Sequence, residues 1–331
     1  MTWILLSGIL LIPLTAVSCY GFSRWMRARS LGQLIRDVGP QSHASKAGTP
    51  TMGGIIVLLF WAATVIILGI TTGWPSYSRF VLAAGLGFGG LGLADDVLSI
   101  RNKRSAGLTA VQKTVLGSTI SIALFFIFRD QVLVPQQVPF ASIQITLPWM
   151  AGLVLNWALF LASTNSANLT DGLDGLAGGV SILVLGGLLL MYPSTENLML
   201  ILPLIGALAG FLWLNAHPAS LFLGDVGSFA LGGVIGALAL ANGAALLLPI
   251  LAGVFVLEAA SVILQVGILR LTGKRLFKMS PFHHHFENSP NRGATHWLPA
   301  FEWPESKVTT RFMLLQAGFV VLAMWAAGIH W

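Results

Sequence analysis

Long apolar runs separated by short polar connections dominate the chain. A bilayer-crossing helix needs about 20 mostly apolar residues. Runs of that kind lie near 3–22, 51–72, 79–97, 111–129, 147–166, 176–192, 199–216, 228–242, 246–269 and 309–329. The pattern predicts an all-α polytopic membrane protein with about ten transmembrane helices. The 228–242 run is the shortest, and 228–269 is the hardest stretch to divide.

Composition agrees. Only 9% of the 331 residues are charged, 55% are hydrophobic, and the mean hydropathy is +0.81. A soluble domain would carry charge on nearer a quarter of its residues. No polar segment is long enough to fold by itself, so residues 1–331 read as one integral membrane domain. Ten spans put both termini on the same side. One set of connections then holds Arg24, Arg27, Arg29, Arg36, Lys46, Arg101, Lys103, Arg104, Lys113, Arg270, Lys274, Arg275, Lys278, Arg292, Lys307 and Arg311. That is 16 of the 18 basic residues, and only Arg79 and Arg129 fall opposite. The positive-inside rule places the basic side in the cytoplasm and both termini outside. It also accounts for the net charge of +6 without nucleic acid. Cys19, the single cysteine, excludes an internal disulfide; with no basic residue before it, it reads as an apolar helix residue rather than a lipoprotein cleavage site. The glycines of the third span (Gly85, Gly87, Gly89, Gly90, Gly92) read as close-packing positions.

Against this background five aspartates gather in or beside the basic-side ends of the apolar runs: Asp95, Asp96, Asp171, Asp174 and Asp225. At a bilayer centre each would cost roughly 3 kcal/mol. The predicted topology instead puts them all at cytoplasmic span ends, with His283, His284 and His285 in the last cytoplasmic loop and His43 and Lys46 in the first. Asp95 and Asp96, adjacent on a helix, point about 100° apart; one meets a metal while the other takes a proton or orients a lysine, unless the pair is a solvated helix end. If the segment from Asn165 is helical, then Asn165, Asn168, Asp171 and Asp174 form one polar stripe suited to a nucleoside and a cation. The alternative is a capped turn between helices. Asp225, between Gly224 and Gly227, is either a magnesium ligand or a helix cap. The triple histidine suits a phosphate or ion, or lies in a solvated loop. Thr51, in the Pro50–Gly54 segment after Lys46, reads as phosphate-facing or as an ordinary helix start. Lys113 reads as a site residue or as a snorkelling lysine.

Together these segments resemble the polyprenyl-phosphate N-acetylhexosamine-1-phosphate transferases. The resemblance runs through Lys46–Gly54, Ala94-Asp95-Asp96, Asn165–Gly175, Phe222-Leu223-Gly224-Asp225 and Pro281–Glu287, in order along nearly the whole chain. The unbroken triple histidine followed by Phe286-Glu287 is most similar to the muramoyl-pentapeptide branch. The resemblance implies transfer of phospho-N-acetylmuramoyl-pentapeptide from UDP-N-acetylmuramoyl-pentapeptide to undecaprenyl phosphate. The products are lipid I and UMP, made for peptidoglycan at the bacterial cytoplasmic (inner) membrane, with Mg²⁺ required and a homodimer expected. It further implies that Asp225 and Asp171 serve the metal, that Asp95 is the base, and that Asp96, Lys113 and His284 complete the catalytic group. Asn168, Gly172, Leu173, Asp174 and Phe222 line the uridine pocket with Lys46. Thr51, Asn165, Gln265, His283, His284 and His285 face other parts of the substrate. One departure is visible: Asn288 to Glu302 intervene before Trp303-Pro304-Glu305, where the family usually has a short connection.

Two other readings use the same residues. A related transferase would take a different donor, such as UDP-N-acetylglucosamine. A secondary transporter would also carry membrane carboxylates and glycine-broken helices, but its site would lie near the midplane and internal repeats would be expected.

Overall fold

The computed structural model describes residues 2–29, 48–102, 107–287, 296–299 and 301–329. His43, Lys46 and most of the Asn288–Glu302 insertion lie outside the described residues. The chain is helical in long stretches: α1 Thr2–Ala28, α2 Gly54–Thr72, α3 Ser78–Asn102, α4 Ala110–Ile127, α5 Arg129–Val132, α6 Trp149–Thr170 and α7 Leu176–Met191. It continues with α8 Thr195–Asn215, α9 Gly224–Ala241, α10 Leu248–Leu251, α11 Gly253–Thr272, α12 His283–Phe286 and α13 Glu305–Ala326. Between α5 and α6 lies a small hairpin of β1 Gln136–Gln137 and β2 Gln144–Ile145.

Eight described helices are long and apolar enough to cross a membrane: α1, α2, α3, α4, α8, α9, α11 and α13. The other two predicted runs are also helical. One is α6, 22 residues long with a polar second half; the other is α7, apolar but only 16 residues long. The difficult 246–269 run is divided in two. Non-helical backbone at Ala252 separates α10 from α11. The break is held by fully buried Gln316 of α13, whose amide accepts from Val254 N–H at 3.2 Å and donates to the Leu251 carbonyl. Backbone groups freed inside apolar surroundings need such a partner.

Helix α9 is the axis of the molecule. Its side chains are buried without interruption from Val226 to Leu240, as expected of a helix apolar all round. It packs on α2, α3, α6 and α7. Small residues make the approach close: a Cβ at Gly92 would come within 2.1 Å of the Asp225 carbonyl oxygen, and one at Gly54 within 2.3 Å of Gly227 Cα. Of the other third-span glycines, Gly85 and Gly89 also meet neighbouring helices closely, whereas Gly90 has nothing within 4 Å and is not a packing position. Cys19 is buried in α1. The β-hairpin seats against Gly243 just after α9, so the N-terminal end of α9 is left for the polar residues.

Candidate functional site

Three features bring Asp95, Lys113, Asn168 and Asp225 together at one end of the bundle. Helix α3 carries Asp95 and Asp96 in its last two turns. Helix α4 opens with a capping box between Thr109 and Gln112, which satisfies free N-terminal N–H groups and sets Lys113 in the first turn. Helix α9 begins at Gly224, whose φ of +79° suits glycine, and presents Asp225 in its own first turn.

The Lys113 ammonium joins two of the acids. Its Nζ lies 2.7 Å from Asp95 Oδ2 and 2.7 Å from Asp225 Oδ2. Asp225 Oδ1 accepts from Asn168 Nδ2 at 2.8 Å, and that amide also donates to Ser228 Oγ at 3.1 Å. The other oxygen of Asp95 accepts the Leu108 N–H. Asp96 diverges from its neighbour, as adjacent helical positions must, and accepts the Val226 N–H at 3.0 Å. A Cβ at Gly224 would sit 2.7 Å from Asp96 Oδ2, so these two residues fit only with glycine there. Asp171 completes the group. Burial, then the charges of Asp225 and Asp96, push its carboxyl well above the usual carboxylate range. Asp95 and Asp225 thus meet the Lys113 ammonium, with Asp96 and Asp171 near enough for their charges to act on one another; these oxygen donors suit a hard divalent cation such as magnesium better than a softer metal.

The predicted polar stripe does not run continuously. Helix α6 ends at Thr170, because Gly172 and Gly175 (φ +75°) turn the chain. Asn168 faces Asp225. Asn165 is exposed and folds back on its own helix, donating to the Leu161 carbonyl at 2.7 Å. Asp174 lies beyond the turn in a second polar group. Its Oδ2 accepts from Ala219 N–H and lies 3.0 Å from His217 Nδ1, while its own N–H donates to Glu305 Oε1 at 2.7 Å. Ligand atoms of Asp174, His217 and Glu305 lie within 4.8 Å of one another. This mixed imidazole–carboxylate group is distinct from the oxygen-only cluster around Asp225.

Two further motifs meet through backbone. Phe222 N–H donates to the Pro50 carbonyl at 2.8 Å, and Gly53 N–H returns a bond to the Phe222 carbonyl at 2.9 Å. Buried Thr51 and half-buried Phe222 therefore belong to one structural unit. Leu173 is buried. Gln265 is buried too, with its amide engaged by Leu276, Phe277 and the Phe277 carbonyl; in this structure it anchors the loop after α11. Of the histidines, His283 and His285 are buried and His284 is half-buried, with its Nδ1 2.8 Å from Glu287 Oε2. His285 Nδ1 accepts the Lys278 N–H at 3.1 Å.

A glycosyl transferase family 4 profile matches residues 78–243, and the phospho-N-acetylmuramoyl-pentapeptide-transferase signature 1 matches residues 46–58. A phospho-N-acetylmuramoyl-pentapeptide-transferase of Geobacillus thermodenitrificans is 40% identical over 278 residues, covering 80% of this chain and 83% of that protein. One from Caldanaerobacter subterraneus is 39% identical over 94% of this chain and 95% of its own length. One from Oceanobacillus iheyensis is 36% identical over 98% of both. The chain belongs to the phospho-N-acetylmuramoyl-pentapeptide transferases of glycosyl transferase family 4. In this member of the family, the structure adds Ser228, Glu258, His217 and Glu305 to the residues that the motifs single out. Glu258 had a visible signal, since it is the one acid inside the 246–269 apolar run. His217 and Glu305 had none, because only the fold brings them to Asp174.

Proposed function

We propose that the chain transfers phospho-N-acetylmuramoyl-pentapeptide from its UDP donor to undecaprenyl phosphate, releasing UMP and forming lipid I for peptidoglycan synthesis. The observation that carries this reading is Asp225, held between Lys113 and Asn168 beside Asp95 at the ends of four helices. An acidic pocket at helix ends is where a water-borne diphosphate and a membrane-borne phosphate can meet. An oxygen of the lipid phosphate attacks the sugar-bearing phosphorus of the donor. The bond from that phosphorus to the bridging oxygen breaks, and the electron pair leaves with UMP.

Such a transfer relies on positioning and charge stabilisation more than on covalent chemistry. Asp225 and Asp171 hold the cation, with Asn168 orienting Asp225. The fit is supported by the chemistry of the donor set, since the groups around Asp225 among the described residues offer carboxylate and amide oxygens and no sulfur or imidazole. Mg²⁺, when bound, supplies neutralisation of the diphosphate oxygens. Asp95 takes any proton remaining on the lipid phosphate, and Lys113 offsets developing negative charge. Asp174, fixed by Ala219 and His217, recognises the uracil edge beside Gly172, Leu173 and Phe222. Thr51, Asn165 and His284 serve the remainder of the donor, while Gln265 anchors the loop after α11 and buried His283 and His285 hold the histidine turn in place. The 16-to-2 distribution of basic residues supports a site facing the cytoplasm, where the soluble donor is made, in the bacterial inner membrane. The homodimer implied by the resemblance belongs to the same reading.

The test is radiolabel transfer onto undecaprenyl phosphate from two donors in parallel. Lipid-linked label from UDP-N-acetylmuramoyl-pentapeptide, accompanied by UMP, is the expected result. Label passing only from UDP-N-acetylglucosamine would assign the fold to the other transferase reaction. No transfer from either donor would remove the enzyme reading.

A further inference from the structure

The acid hidden inside α11 has no place in the reaction as described so far. Glu258 is fully buried within a helix apolar enough to span the membrane, a position where an ionisable side chain is expected to have a functional partner. Its partner is His283. Glu258 Oε2 accepts the His283 backbone N–H at 3.3 Å and lies 3.1 Å from His283 Nδ1, both side chains having no exposure. The far edge of the same ring rests on Gly172, where a Cβ would come within 2.3 Å of Nε2. Gly172 follows Asp171 directly. A chain of contacts therefore runs from α11 through the first histidine to the turn that carries Asp171.

It also runs onward. The His283 and His284 rings lie 4.1 Å apart at 60°, and His284 is held from its other side by Glu287 at 2.8 Å. Glu287 is fixed in turn, since its carbonyl accepts from Lys278 Nζ at 3.0 Å. Stability alone does not account for the Glu258–His283 pair. Buried polar contacts of this kind are often no more stable than apolar side chains of the same volume. Moreover, Glu258 Oε1 and both ring nitrogens of His283 have no hydrogen-bond partner among the described residues, so the one hydrogen bond of the pair is the backbone N–H on Oε2 and the ring itself makes only a close polar contact; a purely structural contact would avoid such an arrangement.

We propose that Glu258 is a positioning residue, whose carboxylate holds His283 against Gly172 and so sets the placement of both the Asp171 turn and His284. The inference rests on the transferase reading above. It concerns the orientation of the histidine turn and not any proton exchanged there.

The experiment uses the full chain in proteoliposomes and reads UMP release per folded enzyme for Glu258→Met, Glu258→Gln, His283→Asn and the Met/Asn double variant. Methionine keeps the volume and removes the acceptor; glutamine keeps a carbonyl acceptor for the His283 N–H. Outer-shell partners of this kind commonly contribute 10- to 100-fold. Accordingly kcat of Glu258→Met falls by about that factor while the donor KM changes less than about threefold and the melting temperature does not fall. Glu258→Gln recovers most of the rate. The double variant is no slower than His283→Asn alone, because the two residues act as a unit. Wild-type turnover in Glu258→Met, no recovery by glutamine, or additive effects in the double variant would each overturn the proposal while leaving the transferase reading intact. A wild-type chain that releases no UMP would overturn both.

Discussion

The Lys113 ammonium reaches the Asp225 carboxylate at 2.7 Å across 112 residues of sequence. The contact ties the start of α4 to the start of α9, and the same Nζ is equally close to Asp95. Without it, two carboxylates on different helices face each other with no charge between them.

Lys113→Ala should therefore lower kcat by roughly 100- to 1000-fold, the range associated with losing one preorganised charge-stabilising group. Expression and membrane insertion should persist. Steady-state UMP release at saturating donor checks this, and a loss smaller than about threefold would return Lys113 to the role of a snorkelling residue.

Asn168 separates orientation from charge. Its amide donates to both Asp225 Oδ1 and Ser228 Oγ. Asn168→Ala removes those bonds, with an expected loss of about tenfold, whereas Asn168→Asp adds a like charge against Asp225 and costs more. Ser228→Ala, which leaves the Asp225 bond in place, stays within about threefold of the wild type. Parallel measurement of kcat for the three variants decides the order.

Two glycines of α3 differ in what surrounds them. A side chain at Gly92 would strike the Asp225 backbone, while Gly90 faces open space. Gly92→Ala forces α3 and α9 apart, an overpacking cost of about 1–3 kcal/mol, and displaces Asp95 from Lys113. Lower melting temperature together with lost UMP release is expected. Gly90→Ala should match the wild type in both measurements.

His285 gives a pH dependence with a definite sign. Burial first, then the charges of His296 and Lys278, hold it below its usual 6.5. Its Nδ1 accepts the Lys278 N–H, so the folded chain keeps the imidazole neutral. Protons bind the unfolded state first as pH falls, and stability declines below about pH 6.5. Thermal melting of His285→Gln in detergent should fall less steeply over that window than melting of the wild type; equal slopes would show that other groups dominate.

The fold was largely legible because span length is fixed by bilayer thickness and registers directly in apolar runs. The division of 246–269 was not, since the break at Ala252 is held by Gln316 from another helix. Within the site, the acids and Asn168 declared themselves as polar residues at span ends. The continuous stripe from Asn165 to Asp174 failed because glycines end the helix at Thr170 and send Asp174 to a separate partner set. Lys113 stood among the candidate site residues, but its two carboxylate partners were not readable, and His217 looked like any loop histidine. Their roles depend on distances between segments far apart in sequence, which periodicity does not encode.

If Asp225 anchors the cation used in phosphoryl transfer, the dependence of UMP release on Mg²⁺ concentration must run through its carboxylate. Wild-type chain should show a saturable rise, and Asp225→Asn should stay at background across the same range while inserting normally into the membrane. An Asp225→Asn curve that saturates at the wild-type rate and midpoint would mean that the cation is held elsewhere.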